Sequence, residues 1–349
     1  MNSATAYRRS TIAPPVFRRP DLEDGTGARR RTFNPVDWPA FKENCDLERA
    51  SSAEAVPYDP DWDNDGPGSA EPDNIGFAEG LRRILSVYPC RDAQWVVAVL
   101  FIVGSTSFTA SSFFALMPLV FPETAFPGEM EVAFPTTITI GAGMFFLGGN
   151  LATIASFNVN RGPVSDDDAL DGEKGYAPPP RYNPALLGSK EWVWFPSGAE
   201  FRAVFLPNPA FRAGLVSMSG GLILTTAAVG GNPVLLGSPE DPAFPDRLRN
   251  FVLIPLTVGG ALLAAGGLAL TMLAQERWYK PAVMSVAWHA SFWNMLGALS
   301  LSLASLYNIV VPEDMLSPAV VNFVGTWLFF LAAYLQWHMV MVFYPRRVK

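Results

Sequence analysis

The chain has 349 residues, of which half are hydrophobic and 16% are charged, and its formal net charge is −7. Its basic residues stand beside acidic ones and form no uninterrupted stripe, which argues against nucleic acid as a partner. Its two cysteines, Cys45 and Cys90, offer neither a disulfide framework nor a metal-ligand cluster.

Residues 1–74 are predicted to form a disordered cytosolic tail. Repeated Pro and Gly residues and mixed blocks of charge leave too little apolar surface to build a core. We expect any protein partners of this tail to be cytosolic. The first 20 residues partly resemble a mitochondrial presequence, but Pro14, Pro15 and Pro20 interrupt an amphipathic helix there. A plasma membrane or an endomembrane is therefore favoured over a mitochondrial one.

Residues 75–92 are predicted to form an amphipathic helix on the membrane surface. Arg82 and Arg83 lie between apolar residues at helical spacing, which are Phe77, Leu81, Ile84, Leu85 and Tyr88. Pro89 should end this helix. Cys90 then lies at the interface, where it is either an inert thiol or a site of S-palmitoylation.

Residues 93–345 are predicted to be an all-α integral membrane domain of six transmembrane helices, arranged as three helical hairpins in the lipid bilayer. Each run of mainly apolar residues is long enough to cross a hydrocarbon core of about 30 Å. The predicted spans are residues 94–121, 135–157, 213–231, 251–275, 281–309 and 318–343. The third span is the least regular, because its five glycines lower helix propensity.

The longest predicted loop, residues 158–212, has two different halves. The first half is acidic and rich in Pro, and it is predicted to be flexible. The second half carries Trp192, Trp194 and several Phe residues between polar ones. Because aromatic residues anchor proteins at the level of the lipid headgroups, this half is predicted to lie there.

The basic residues predict the orientation of the domain. If both termini are cytosolic, 23 of the 25 Lys and Arg residues lie on the cytosolic side, and Arg247 and Arg249 lie outside. This distribution follows the positive-inside rule. An odd number of spans would break it.

The three predicted hairpins share a pattern of small residues. Their first helices align at Gly104, Gly220 and Gly297, and their second helices at Gly141, Gly259 and Gly325. Seven and eight positions later come the pairs Gly148 and Gly149, Gly266 and Gly267, and Ala332 and Ala333. Phe145 corresponds to Phe329, whereas the second hairpin has Leu263. Since small residues allow helices to approach closely in lipid, the three late pairs are predicted packing positions.

Two stretches carry a resemblance to known proteins. FWNMLGALSLSLASLYN, with VGTWLFFLAAYLQW after it, resembles the terminal hairpin of uncharacterised multi-pass integral membrane proteins of filamentous fungi, and is similar to the two-helix YrhK-like domain. The loop segment KEWVWFPSGAEFRAVFLPNPAFRAGL resembles the same fungal proteins. The similarity covers about residues 95–344. It implies a multi-pass membrane protein and supplies no catalytic residue.

The two histidines are candidate ligands. His289, early in the fifth predicted span, and His338, late in the sixth, each follow a Trp, and antiparallel helices would place both toward the cytosol. Such a pair can bind a haem or a metal, or relay protons. A Trp–His pair near a helix end is also an ordinary interfacial belt, which is the preferred interpretation. The other strongly polar residues of the spans can hydrogen-bond between helices, and they are Asn150, Asn294, Asn322 and Gln336.

Two classes of function remain open. No predicted span contains a carboxylate or an ammonium group, which disfavours transport coupled to an intramembrane acid. The chain has no P-loop, HExxH or GxSxG motif, so no catalytic residue is predicted. The first class is a non-enzymatic membrane component without a cofactor, either a scaffold or sensor or a passive channel or carrier. The alternative is a haem- or metal-binding membrane enzyme that uses His289 and His338.

Overall fold

The structure is a computed structural model that describes residues 77–159, 161–162, 184–275 and 277–343. The predicted disordered tail with its partners, Cys45 and most of the acidic half of the long loop lie outside these residues. The described residues are mostly helical.

Seven helices of ten or more residues lie in the described ranges. They are α1 (Phe77–Ser86), α2 (Ala93–Val120), α3 (Phe134–Ser156), α4 (Pro209–Gly230), α5 (Ile254–Leu273), α6 (Val286–Val310) and α7 (Leu316–Phe343). Shorter helical turns lie at Pro122–Thr124, Glu129–Ala133, Gly198–Glu200, Phe201–Phe205, Pro233–Leu236, Phe244–Leu248 and Arg249–Leu253.

Five helical segments of the described chain are long and apolar enough to cross a membrane. They are Ala93–Val120, Glu129–Ser156, Pro209–Gly230, Phe244–Leu273 and Leu316–Val342. This confirms the predicted all-α class, with helices that have the length and apolarity of membrane spans. The remaining long helix, α6, has 25 residues but is less apolar and is not among these five segments. Its sequence includes His289, Asn294 and several serines.

Side-chain caps fix where several of these helices begin. Asp92 is fully buried and accepts hydrogen bonds from the amides of Gln94 and Trp95, so α2 begins at Ala93. Asn208 caps α4 in the same way, which starts the helix at Pro209 instead of residue 213. Ser285 caps α6 at Val286, later than the predicted start at residue 281.

Asp314 forms the corresponding cap at the start of α7. Its carboxylate accepts hydrogen bonds from the hydroxyl of Ser317 and from the amides of Ser317 and Leu316. These bonds favour the ionised form and lower the pKa of Asp314 below its usual value.

The six helices from α2 to α7 form a closed ring. Each contacts the next one along the chain, and α7 returns to contact α2. The contact between α3 and α4 is the least extensive of the six. Neighbours run in opposite directions, since Thr153 near the end of α3 reaches Met218 in the first half of α4, and Gly267 in the second half of α5 faces Met295 in the first half of α6.

The first helix, α1, packs on the last part of α7. The ring of His338 stacks on that of Phe77, and Nη1 of Arg83 donates a hydrogen bond to the carbonyl of Met341 at 3.2 Å. Leu85 and Tyr88 remain exposed. Thus α1 is amphipathic, as its spacing predicts, but one of its faces is bound to protein. We call this end of the ring the α1 end, and the opposite end the far end.

Packing at the helix contacts generates the first prediction. A Cβ added at Gly220 would come within 2.6 Å of the Gly259 carbonyl oxygen, whereas one added at Gly143 would meet nothing within 4 Å. We expect Gly220→Leu to lower the free energy of unfolding in detergent by about 1–3 kcal/mol, because overpacking displaces backbone. Gly143→Leu should change it by less than about 0.5 kcal/mol. Denaturation by dodecyl sulfate, followed by circular dichroism, measures both, and equal losses would contradict this packing.

Candidate functional site

The ring encloses a cavity of about 710 Å³. This volume lies in the range of about 300–1,000 Å³ that is typical of ligand pockets. All six long helices supply wall residues, for example Phe101, Phe145, Leu224, Leu263, Asn294 and Gln336 in chain order. Among the described residues that line the cavity, none is Asp, Glu, Lys, Arg or His. The cavity is therefore uncharged and mainly apolar.

Large apolar side chains meet at the middle of the ring and form what we call the apolar plug. Its members pack in one cluster and are Phe145, Leu224, Leu263, Leu301 and Phe329. The rings of Phe145 and Phe329 meet edge to face with centroids 5.8 Å apart. Phe145 lies midway along α3 and Phe329 midway along α7. The plug therefore lies between the α1 end of the cavity and the far end.

Three plug residues occupy corresponding positions of the sequence repeat. Gly104 lies against the ring of Phe145 and Gly297 against the ring of Phe329, whereas Gly220 lies against the backbone of Gly259 and Leu263. Each small residue therefore lets the neighbouring helix approach closely at the corresponding position. The three large side chains of the second helices pack in one cluster.

Two polar atoms of the cavity wall lack a hydrogen-bond partner. They are the hydroxyl oxygen of Ser217 and the side-chain nitrogen of Gln336. Ser217 is only 3% exposed. Ser217 lies one turn before Gly220 on α4, which runs away from the α1 end. Gln336 lies two turns after Phe329 on α7, which runs toward the α1 end. Both residues are therefore on the α1 side of the plug. A buried polar group without a partner costs about 1–3 kcal/mol, which a bound water or ligand oxygen would remove.

The four predicted polar residues of the spans all line the cavity, and they are Asn150, Asn294, Asn322 and Gln336. The amide of Asn150 donates a hydrogen bond to the carbonyl of Phe146 on its own helix at 2.7 Å. Sequence reasoning missed Ser217, because a serine within a glycine-rich helix has the pattern of an ordinary packing residue.

The two histidines lie outside the cavity wall and in different surroundings. Nε2 of His338 is 3.0 Å from the carbonyl oxygen of Phe77, and the residue is 2% exposed beneath α1. Nε2 of His289 is 2.8 Å from the carbonyl oxygen of Val283. Within the described ranges no hydrogen bond or ring contact joins the two imidazoles, and no group of three or more His, Cys, Asp and Glu residues could hold a metal ion. The two imidazoles therefore make no direct contact with each other.

Five of the six predicted packing residues lie in close contacts. Gly148 lies against Phe101, Gly266 against Ser217, and Gly267 against Met295, while Ala332 and Ala333 are each 4% exposed. Gly149 differs, since a Cβ added there would meet nothing within 4 Å, and the residue lines the cavity. Adjacent residues point about 100° apart around a helix, so Gly148 and Gly149 cannot both face α2. The predicted packing role is therefore wrong for Gly149.

The second half of the long loop packs on the protein at the α1 end of the ring. Asn158 is 1% exposed and exchanges two hydrogen bonds of 2.8 Å with the backbone of Val193. Trp192 is buried against Ala93 and Ala155, whereas Trp194 is 56% exposed. The ring of Phe157 contacts a set of aromatic neighbours, Phe201, Phe205 and Phe211. Much of the segment predicted to lie among headgroups thus packs on protein.

Cys90 lies between α1 and α2 and is an exposed free thiol. Its placement is compatible with either alternative drawn from the sequence, inert thiol or lipidation site. Both therefore stay predictions.

No protein-family model, curated protein or solved structure matches this chain. The resemblance to fungal membrane proteins and to the YrhK-like domain stays a prediction. The cavity and its wall are therefore the features that bear on function.

The plug generates a prediction with a control on the same helix. Phe329 is 5% exposed within the plug, whereas its neighbour Phe330 is partly exposed and lies outside the cavity wall. We expect Phe329→Ala to lower the free energy of unfolding in detergent by more than about 1 kcal/mol, because the void left behind loses packing contacts. Phe330→Ala should cost clearly less. A larger loss for Phe330→Ala would mean that the plug does not hold the ring together.

Proposed function

We propose that the chain is a six-span membrane protein of three helical hairpins that acts as a passive carrier for an uncharged, largely apolar molecule. The observation that carries this proposal is the cavity of about 710 Å³, to which all six long helices contribute uncharged residues. A site with these properties favours molecules that gain from leaving water and need no counter-charge.

The contacts of α6 support counting it as the sixth span. Its 25 residues rise about 1.5 Å each, which gives a helix of about 37 Å. The hydroxyl of Ser302 donates a hydrogen bond to the Thr257 carbonyl at 2.8 Å, and that of Ser305 to the Leu253 carbonyl at 3.0 Å. Two of the serines that lower its apolarity therefore bond to the neighbouring helix instead of facing lipid. The pairs α2 with α3, α4 with α5, and α6 with α7 then form the three hairpins.

The charges support placing both termini and the α1 end in the cytosol. Arg83, Arg91 and Lys190 belong to segments at the α1 end, whereas Arg247 and Arg249 precede α5 at the far end. This asymmetry agrees with the positive-inside rule. The surrounding membrane would be the plasma membrane or an endomembrane.

The wall favours a carrier of neutral molecules over an ion pathway. An ion in the cavity would lose its hydration and would find no opposite charge, at a cost of several kcal/mol. The apolar plug adds a second barrier, since a hydrophobic constriction excludes water and ions. The scaffold or sensor alternative depends on the tail outside the described residues. The haem or metal alternative stays a prediction, because His289 and His338 bond to separate backbone carbonyls.

Retention of a ligand tests the proposal. The protein is extracted from its membrane in mild detergent, washed, and examined by native mass spectrometry. We expect one neutral, lipid-soluble molecule per chain. Asn294→Trp, which fills the cavity wall of α6, should reduce retention at least about fivefold. Leu299→Trp is the matched control, because Leu299 is on the same helix but 41% exposed and outside the wall. Retention of charged molecules alone, or equal retention by both variants, would contradict the carrier.

Cysteine labelling tests the orientation. In a Cys45→Ser background, Cys90 should react with a membrane-impermeant maleimide only after intact cells or sealed right-side-out vesicles are permeabilised. With both native cysteines replaced, Ser238→Cys should react without permeabilisation, because Ser238 is exposed in the segment between α4 and α5. Labelling of Cys90 in intact vesicles would mean that the predicted orientation is wrong.

A further inference from the structure

We infer that the carried molecule is a bilayer lipid with an uncharged hydroxyl or carbonyl head, and that it enters the cavity sideways between α3 and α4. This inference rests on the proposed function and names both the ligand class and its route. It follows from where the ring is constricted, where helices leave open space, and which polar atoms lack a partner.

The axial path through the ring is constricted at its middle. Side chains from five helices pack together there as the apolar plug. A route between helices avoids this constriction.

The seam between α3 and α4 offers that passage. A Cβ would meet nothing within 4 Å at four glycines of the long helices, which are Gly143 and Gly149 of α3 and Gly214 and Gly221 of α4. At every glycine of α2, α5, α6 and α7, by contrast, an added Cβ would come within 4 Å of another atom. Three of the four open glycines, Gly149, Gly214 and Gly221, also line the cavity, and we call them the glycine seam. The open space thus lies along one pair of helices, the pair with the least extensive contact.

The cavity reaches the outer surface at this seam. Phe146 of α3 and Leu222 of α4 line the cavity and yet are 38% and 42% exposed. The other exposed residues of the wall lie at the far end, and they are Leu119, Met130, Pro312 and Met315. Phe146 lies at the middle of its helix, so the opening faces the hydrocarbon core and not the aqueous phase. Lipid chains are the molecules found at that depth.

The unpartnered polar atoms select the head of the lipid. The side-chain nitrogen of Gln336 donates hydrogen bonds and needs an acceptor oxygen, while the hydroxyl of Ser217 can donate or accept. A hydroxyl or carbonyl head supplies the acceptor oxygen that Gln336 lacks. A phosphate, carboxylate or quaternary ammonium head would bring a charge that no side chain of the wall balances. Sterols, diacylglycerols and long-chain alcohols have the required chemistry.

Photolabelling in nanodiscs tests the ligand class. Three diazirine probes share one alkyl chain and end in a hydroxyl, a carboxylate or a trimethylammonium group, and each is added to phosphatidylcholine nanodiscs that contain the full chain. We expect the hydroxyl probe alone to label peptides of α3 and α4 that face the cavity. The variant Gln336→Leu should label about three- to tenfold more weakly at a limiting probe concentration, as expected for losing one ordinary hydrogen bond. Equal labelling by all three probes would overturn the head chemistry.

Substitutions in the glycine seam test the route. Gly149→Trp and Gly221→Trp should slow the initial rate of hydroxyl-probe labelling at least about fivefold, because the indole occupies the passage. Gly143→Trp is the matched control, since it has equal space on the same helix but lies outside the wall. Thermal stability in detergent confirms that each variant is folded.

The outcomes separate the two proposals. If the hydroxyl probe labels the wild type, and neither seam variant slows it while Asn294→Trp abolishes it, the carrier stands and the lateral route is wrong. If no probe labels the wild type, the proposed function fails as well.

Discussion

Close approach of neighbouring helices at the glycines of the sequence repeat determines how this ring of helices is built. In lipid, helices gain little from hiding apolar surface, so association depends on van der Waals packing and on interhelical hydrogen bonds. Gly104, Gly220 and Gly297 each allow such a close approach. Because the large partners are at equivalent heights and on equivalent faces, they meet as the plug, and the cavity is the space that they leave on either side.

The polar residues of the spans fall into satisfied and unsatisfied groups, and the difference has functional meaning. Ser302 and Ser305 bond to backbone carbonyls of α5, and the hydroxyl of Ser112 lies 2.9 Å from that of Thr326 across α2 and α7. These contacts hold helices together. Ser217 and Gln336 make no such bond although they line the cavity. Unpaired polar groups in an apolar wall favour a ligand that has an uncharged oxygen. The proposed route of entry for such a lipid is the seam between α3 and α4.

Sequence reasoning predicted the local features and missed the ones that need several helices at once. The amphipathic spacing of α1, the long apolar runs and the alignment of Phe145, Leu263 and Phe329 are visible in one dimension. The faces of the spans are not, because these helices are apolar on every side; hence Gly149 was assigned to a contact that Gly148 makes alone. The cavity depends on closure between α2 and α7, whose contact joins residues more than 200 positions apart. No local pattern contains that information.

Closure of the ring is the central claim, and a disulfide between its first and last helices tests it most directly. With both native cysteines replaced, Ser112→Cys and Thr326→Cys should form a disulfide under mild oxidation, since the two side-chain oxygens are 2.9 Å apart. Cleavage at a protease site inserted in the loop between α3 and α4 should then leave one band before reduction and two after it. The control pair, Ser112→Cys with Ser219→Cys on the exposed side of α4, should give two bands throughout. Two bands for the first pair before reduction would mean that α2 and α7 do not meet, and the cavity would not exist in this form.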